Sequence, residues 1–283
     1  MAATFGPAGN SESFYLEKHK STVEAPAWLR QKGLDAYEYS AGNGITGGLA
    51  TFKRIGQAAK ENGILLSFHT PYYISLSGVD PEKRLKSLTY IKASVEAAEA
   101  MGADTIVIHA GSASKISREE ALSLAGDTLL RALADNPDTK VRFGVETMGK
   151  KNQLGNFDEI LALCKLDSRL YPVVDFGHLN AREGGCFRFW EDYARIFERI
   201  STELCPEKAD TLHCHFSKIE YTAAGEKRHL TFADSLFGPD YEPLMEAIVR
   251  LGVSPRIICE SAGTMAEDAL QMKRYYKALC EQK

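Results

Sequence analysis

Short apolar runs in this sequence close repeatedly on a histidine or an acid. Leu65-Leu-Ser-Phe-His69, Thr105-Ile-Val-Ile-His109, Arg142-Phe-Gly-Val-Glu146, Tyr171-Pro-Val-Val-Asp175, Thr211-Leu-His213 and Arg256-Ile-Ile-Cys-Glu260 share the pattern, and His178 follows Asp175 by three residues. Imidazole nitrogens and carboxylate oxygens are ligands of first-row divalent ions. Acids gathered without a cation would repel one another and resist ionisation. The seven histidines are at 19, 69, 109, 178, 213, 215 and 229, and only His19 and His229 stand away from these run ends. The spacing points to a divalent metal cluster where several strands end.

Elements that could position such a cluster are readable in order. Short apolar runs of this kind read as buried parallel strands. They are expected at Thr4–Phe5, Ala36–Tyr39, Leu65–Phe68, Thr105–Ile108, Val141–Val145, Tyr171–Val174, Thr211–Phe216 and Arg256–Cys259. Helical stretches lie between them. Asp80 and Pro81 suit the start of one with an apolar stripe Leu85, Leu88, Ile91, Val95 and Ala98, stopped by Gly102. Ser117 to Glu120 and Thr264 to Glu267 read as capping boxes, and a further helix is expected over Phe187–Leu204. Eight strand–helix alternations predict a single-domain α/β fold, a (β/α)₈ TIM barrel over residues 1–283, with its chemistry at the C-terminal ends of the strands. A doubly wound open sheet would need a glycine-rich phosphate turn after an early strand, and no GxGxxG occurs.

The composition, 44% hydrophobic and 25% charged, is that of a soluble globular protein. A net charge of -4 gives no basic footprint for nucleic acid, although bound divalent ions would add positive charge locally. The six cysteines form no CxxC pair, no leader-like segment opens the sequence, and no apolar run reaches transmembrane length. A monomer in a reducing cytoplasm, without membrane partners, is the expectation.

The motifs His69-Thr-Pro-Tyr-Tyr, Ile108-His-Ala-Gly-Ser112, Val145-Glu-Thr-Met-Gly149, Asp175-Phe-Gly-His178, His213-Cys-His-Phe-Ser-Lys218, Lys227-Arg-His229 and Glu260 follow one another through nearly the whole chain. Together they resemble the endonuclease IV family of apurinic/apyrimidinic endonucleases, within the xylose isomerase-like barrels. The resemblance implies hydrolysis of the phosphodiester 5′ to an abasic site in DNA, as in base-excision repair, with Glu146 and Glu260 at the catalytic centre. It also implies three zinc-type ions. His69, His109 and Glu146 would hold the first. Glu146, Asp175, His213 and Glu260 would hold the second, and His178 and His229 would belong to the third. Aligning Ser217-Lys218 favours His213, with His215 on the same strand face as the alternative. Zinc is expected because it lowers the pKa of bound water to roughly 7, and manganese is the other candidate ion.

Two departures from the family pattern stand out. The family's third-site motif is Asp-Arg-His, and Lys227 occupies the acid's place; a lysine has no lone pair to offer a metal while protonated. Glu226 or His215 could substitute, so two tight ions and a weaker third are expected. The loop Asn43 to Gly48 lacks the arginine that the family inserts into DNA. Tyr72, Tyr73, Lys218 and Arg228 are the DNA-contact candidates, and Lys115, Lys150, Lys151 and Arg182 could also meet phosphates. The alternative activity is a one-metal sugar isomerase or epimerase, which needs only Glu146, Asp175, His213 and Glu260 on the same barrel. A barrel that binds metal without turnover is the third reading.

Overall fold

The structure, a computed structural model, describes residues 2–282. Eight parallel strands, β1 (Thr4–Pro7), β2 (Ala36–Ser40), β3 (Leu65–His69), β4 (Thr105–His109), β5 (Arg142–Glu146), β6 (Leu170–Asp175), β7 (His213–Phe216) and β10 (Arg256–Cys259), lie in the order β1-β10-β7-β6-β5-β4-β3-β2. The ring shuts at β1 and β2. Asp35 N donates to Phe5 O at 2.9 Å, Gly9 N donates to Glu38 O at 2.8 Å, and Ala8 bridges Glu38 in parallel. Gly6 makes this seam possible, because a Cβ there would sit 1.8 Å from the Ala36 carbonyl oxygen. The expected (β/α)₈ TIM barrel is the fold.

The core lies between strands and surrounding helices and includes Phe5, Phe68, Phe143, Phe176 and Phe216, all fully buried. Helix Pro81–Met101 illustrates how sequence places an element. Asp80 accepts from Glu82 N at 2.9 Å, Pro81 opens the first turn, and Gly102 stops the helix in the left-handed region at φ 71°. Leu88, Ile91, Val95 and Ala98 turn inward, whereas Leu85, expected on the same stripe, is half exposed.

Several local features differ from expectation. A helix, Phe176–Arg182, begins directly after β6, with Asp175 Oδ1 accepting from His178 N at 2.7 Å as its cap. The helix expected from Phe187 starts at Trp190. Thr264 donates to Asp268 instead of capping, because its backbone is not extended there. After β7 the chain forms an antiparallel hairpin, β8 (Ile219–Thr222) and β9 (Gly225–His229), in addition to the eight expected strands.

Candidate metal centre

Each barrel strand from β3 to β6 delivers one ligand-type side chain at its C-terminal end: His69, His109, Glu146 and Asp175. His215 comes from β7, and Glu260 follows β10 directly. Glu146 is the hub. Its Oε2 lies 3.4 Å from His69 Nε2 and 3.1 Å from His109 Nε2, and its Oε1 lies 2.9 Å from His215 Nδ1. Four groups among the described residues converge closely enough to hold an ion: His69–His109–Glu146, Glu146–Asp175–His215–Glu260, His178–His229–Glu260 and Glu38–His69–His215–Glu260.

His215, not His213, is the β7 histidine that meets these acids. The register explains the difference: Asp175 pairs with His215, whereas His213 pairs with Val173, one inward position deeper. There His213 Nε2 lies 2.9 Å from Glu38 Oε2. Glu38 itself, fully buried on β2, is a member of the centre that the sequence reading passed over. It looked like a single polar residue in Ala36-Tyr-Glu-Tyr39; the available signal was an acid inside an otherwise buried run.

The third group is built by the hairpin. His178 Nε2 lies 3.5 Å from Glu226 Oε2, and His229 Nε2 lies 4.0 Å from Glu226 Oε1. Pairing along β8 and β9 slips between Glu220 and Tyr221: Glu220 opposes Arg228, but Tyr221 opposes Glu226. Lys227 is therefore the extra residue of a β-bulge, which breaks the alternation of faces. Glu226 shares the His229 side, while Lys227 and Arg228 both turn to Glu220. The hairpin is fixed to the loop after β5 by Glu226 N donating to Gly149 O at 3.1 Å and Lys151 N to Ala224 O at 3.1 Å. Only glycine fits at 149, where a Cβ would meet Glu226 Cβ at 2.6 Å and His178 at 3.1 Å.

The donor chemistry fits divalent ions. His69 Nδ1 donates to Thr70 O at 2.9 Å, His178 Nδ1 donates to Thr147 O at 3.0 Å, and His229 Nδ1 hydrogen-bonds Ser217 Oγ at 2.8 Å. Each ring is thus oriented through one nitrogen and presents Nε2 to the acids, as outer partners do for metal-bound histidines. Glu146 Oε2 and Asp175 Oδ2 are buried without a hydrogen-bond partner among the described residues, an arrangement that is costly unless a cation completes it.

The charges are strongly interdependent. Burial opposes ionisation of Glu146, but the charge of His215 and the contacts of His109, His215 and His69 hold it well below the usual carboxylate range. Burial likewise opposes charge on His69 and His178; Glu146 raises the first to about 9, and Asp175 with Glu226 raises the second to about 9. Burial pushes His109 down. Burial and the charge of Glu146 push Glu260 up, against the pull of His215.

The centre opens into a cleft of about 390 Å³ whose walls include Tyr72, Met148, Lys150 and Gln153. Tyr72, half exposed, stacks on His109 with ring centres 5.2 Å apart and meets the edge of His69. Tyr73 instead packs edge-on against Tyr90. Lys218 is buried and spent on Asp234 O at 2.7 Å and Asp240 at 3.0 Å, and Arg228 is held by Glu220 at 2.7 Å. Arg182 is buried, donating to the carbonyls of Met148, Lys150, Lys151 and Gln153, so it clamps the loop after β5. A hollow of about 480 Å³ among Ser75, Ser77, Lys83, Ser112 and Lys115 carries no histidine or glutamate in its walls.

Comparison with known proteins follows the same lines. An uncharacterized protein of Methanocaldococcus jannaschii is 30% identical over 249 residues, covering 87% of this chain and 89% of its own. A probable endonuclease 4 of Acholeplasma laidlawii is 29% identical over 195 residues, covering 67% of this chain and 65% of its own length. Among solved structures, a D-tagatose 3-epimerase-like protein aligns with TM-score 0.69 at 17% identity, covering 99% of both chains. The endonuclease IV of Thermus thermophilus aligns with TM-score 0.68 at 18% identity over 99% of this chain and all of the other. At those identities the structural likeness speaks for the fold alone. Residues 23–277 match the family described as xylose isomerase-like TIM barrel, and the chain, with its endonuclease IV-like motifs, belongs to that family.

Proposed function

We propose that the protein is a zinc-dependent phosphodiesterase that cuts duplex DNA 5′ to an abasic site. The observation that carries this reading is the abutment of ligand groups that share Glu146 and Glu260, with Glu226 lying 3.5 Å from His178 and 4.0 Å from His229 beside them. A one-metal sugar enzyme needs only Glu146, Asp175, His215 and Glu260 as ligands, with His178 free to contact substrate; the pair His69 and His109 and the approach of Glu226 and His229 go beyond that need. The likeness to a probable endonuclease 4 supports the same reading. Divalent ions bound there would supply activation of water and neutralisation of phosphoryl oxygens. His69, His109, Glu146, Asp175, His215 and Glu260 would hold two of them, and His178, Glu226 and His229 the third. Tyr72, stacked on His109 at the mouth of the cleft, would face the sugar gap left by the missing base. The protein would act as a single-domain monomer in the cytoplasm; no helix among the described residues is long and apolar enough to cross a membrane.

One observation favours ketose epimerisation instead: Lys218, Arg182 and Arg228 are all occupied within the protein, leaving few cations for a DNA backbone. Incubating metal-loaded protein with a duplex carrying one abasic site and, separately, with ketohexoses decides between them. Nicking of the duplex supports the proposal; epimerisation without nicking overturns it.

A further inference from the structure

Glu38 belongs to none of the ligand sets that the family resemblance implies, yet its carboxylate is fully buried inside the barrel. Its Oε2 accepts from Ser67 Oγ at 2.8 Å and lies 2.9 Å from His213 Nε2. Its Oε1 lies 2.9 Å from His215 Nε2, as an ion-pair contact outside hydrogen-bond alignment, and neither of these two atoms has a hydrogen-bond partner among the described residues. On the other side of the same ring, His215 Nδ1 lies 2.9 Å from Glu146 Oε1 and 3.5 Å from Glu260 Oε1.

An imidazole that binds a metal keeps a proton on one nitrogen and offers a lone pair from the other. The partner of the first nitrogen decides which is which. His69 and His178 are oriented through Nδ1 by backbone carbonyls. His215 is reversed, because a carboxylate faces its Nε2 and the acids of the centre face its Nδ1. We propose that Glu38, anchored by Ser67 and His213, is the positioning residue that makes His215 a metal ligand through Nδ1. The inference rests on the metal-centre reading above and adds a buried carboxylate–histidine pair, supplied by β2 and β7, behind the ion shared by Glu146, Asp175 and Glu260.

The test uses the full-length protein titrated with zinc, with ¹⁵N-detected histidine side-chain spectra and competition against a chelator. The His215 signals are assigned by their loss in His215→Gln. In wild type, His215 should show a proton on Nε2 and coordination through Nδ1. Glu38→Gln keeps the size of the side chain but removes its charge. It should weaken one zinc equivalent by ~10–100-fold, the cost typical of losing an outer partner of a ligand, and leave the remaining equivalents as in wild type. Ser67→Ala, which removes one anchor, should have a smaller effect in the same direction. Coordination of His215 through Nε2 would overturn the proposal, since Glu38 would then be a ligand itself alongside His69 and Glu260. Wild-type zinc affinity and stoichiometry in a folded Glu38→Gln would also overturn it. The spectrum of the wild-type protein is decisive even if the variant does not fold. A wild type that takes up no zinc overturns both this inference and the proposed function, whereas zinc uptake without nicking leaves this inference standing alone.

Discussion

Glu226 faces His178 across 3.5 Å, while its neighbour Lys227 is turned to Glu220 on the opposite side of the hairpin. A one-residue bulge thus restores a carboxylate to a position that the unbulged register would give to an amine. Glu226→Gln should lower the metal content by one equivalent after mild chelation, measured by elemental analysis, and Lys227→Ala should not. Equal loss in both variants would contradict the bulge-based assignment.

Glu146 belongs to two of the four ligand groups. Glu146→Gln should keep its fold, judged by circular dichroism, and lose nicking of an abasic duplex by well over ~100-fold, since even outer partners of ligands cost ~10–100-fold. Nicking at the wild-type rate would remove Glu146 from the centre.

Chelated protein should be pH-sensitive on the alkaline side. The neighbouring acids raise His69 and His178 to about 9 against the effect of burial, whereas an unfolded histidine titrates near ~6.5. Raised groups contribute stability that is complete below ~6.5 and is lost as pH climbs through the folded value. Melting in chelator should therefore fall between neutral pH and ~9.5. Zinc binding near neutrality should also release protons, because these nitrogens must give theirs up. Calorimetry in buffers of different ionisation heat measures that release, and a count of zero contradicts the assignment.

DNA binding should depend weakly on salt. Lys218, Arg182 and Arg228 are engaged internally, so roughly two to four phosphate contacts are expected, giving a log–log slope no steeper than about −4. A slope beyond about −6 would mean that other cations carry the binding.

Arg182 donates to four loop carbonyls from a buried position. Arg182→Met should destabilise the protein by about 2–4 kcal/mol, because the carbonyls lose charge-assisted donors. It should also loosen the loop that supports Glu226, seen as weaker retention of the third ion. Thermal unfolding and elemental analysis together check this.

The ring of strands was readable because each run couples an apolar stretch to a chemistry-bearing end, and the turns that stop the helices are marked by glycine. Depth was not readable. His213 and His215 both point inward, and only the pairing of Asp175 with His215 fixes which one reaches the acids. Glu38 was hidden for the same reason: inside a closed ring, a lone acid in an apolar strand faces the opposite wall, and sequence spacing does not name what stands there. The bulge at Lys227 was hidden because it depends on two strands slipping past each other. Lys218 and Arg182 looked like phosphate contacts because a cation's charge is visible in sequence and its internal partner is not.

The barrel is joined most thinly where β1 meets β2, by the Phe5–Asp35 and Glu38–Gly9 backbone bonds beside Gly6. Glu260, just after the strand on one side of β1, and Glu38, on the strand on the other, meet opposite nitrogens of the same His215 ring in the interior. Ions held there would act as a clasp over the joint, tying its two flanks together without touching β1. Amide hydrogen exchange at Asp35 and Gly9 should accordingly be slow in loaded protein and speed up on chelation, with the far wall of β4 and β5 changing least.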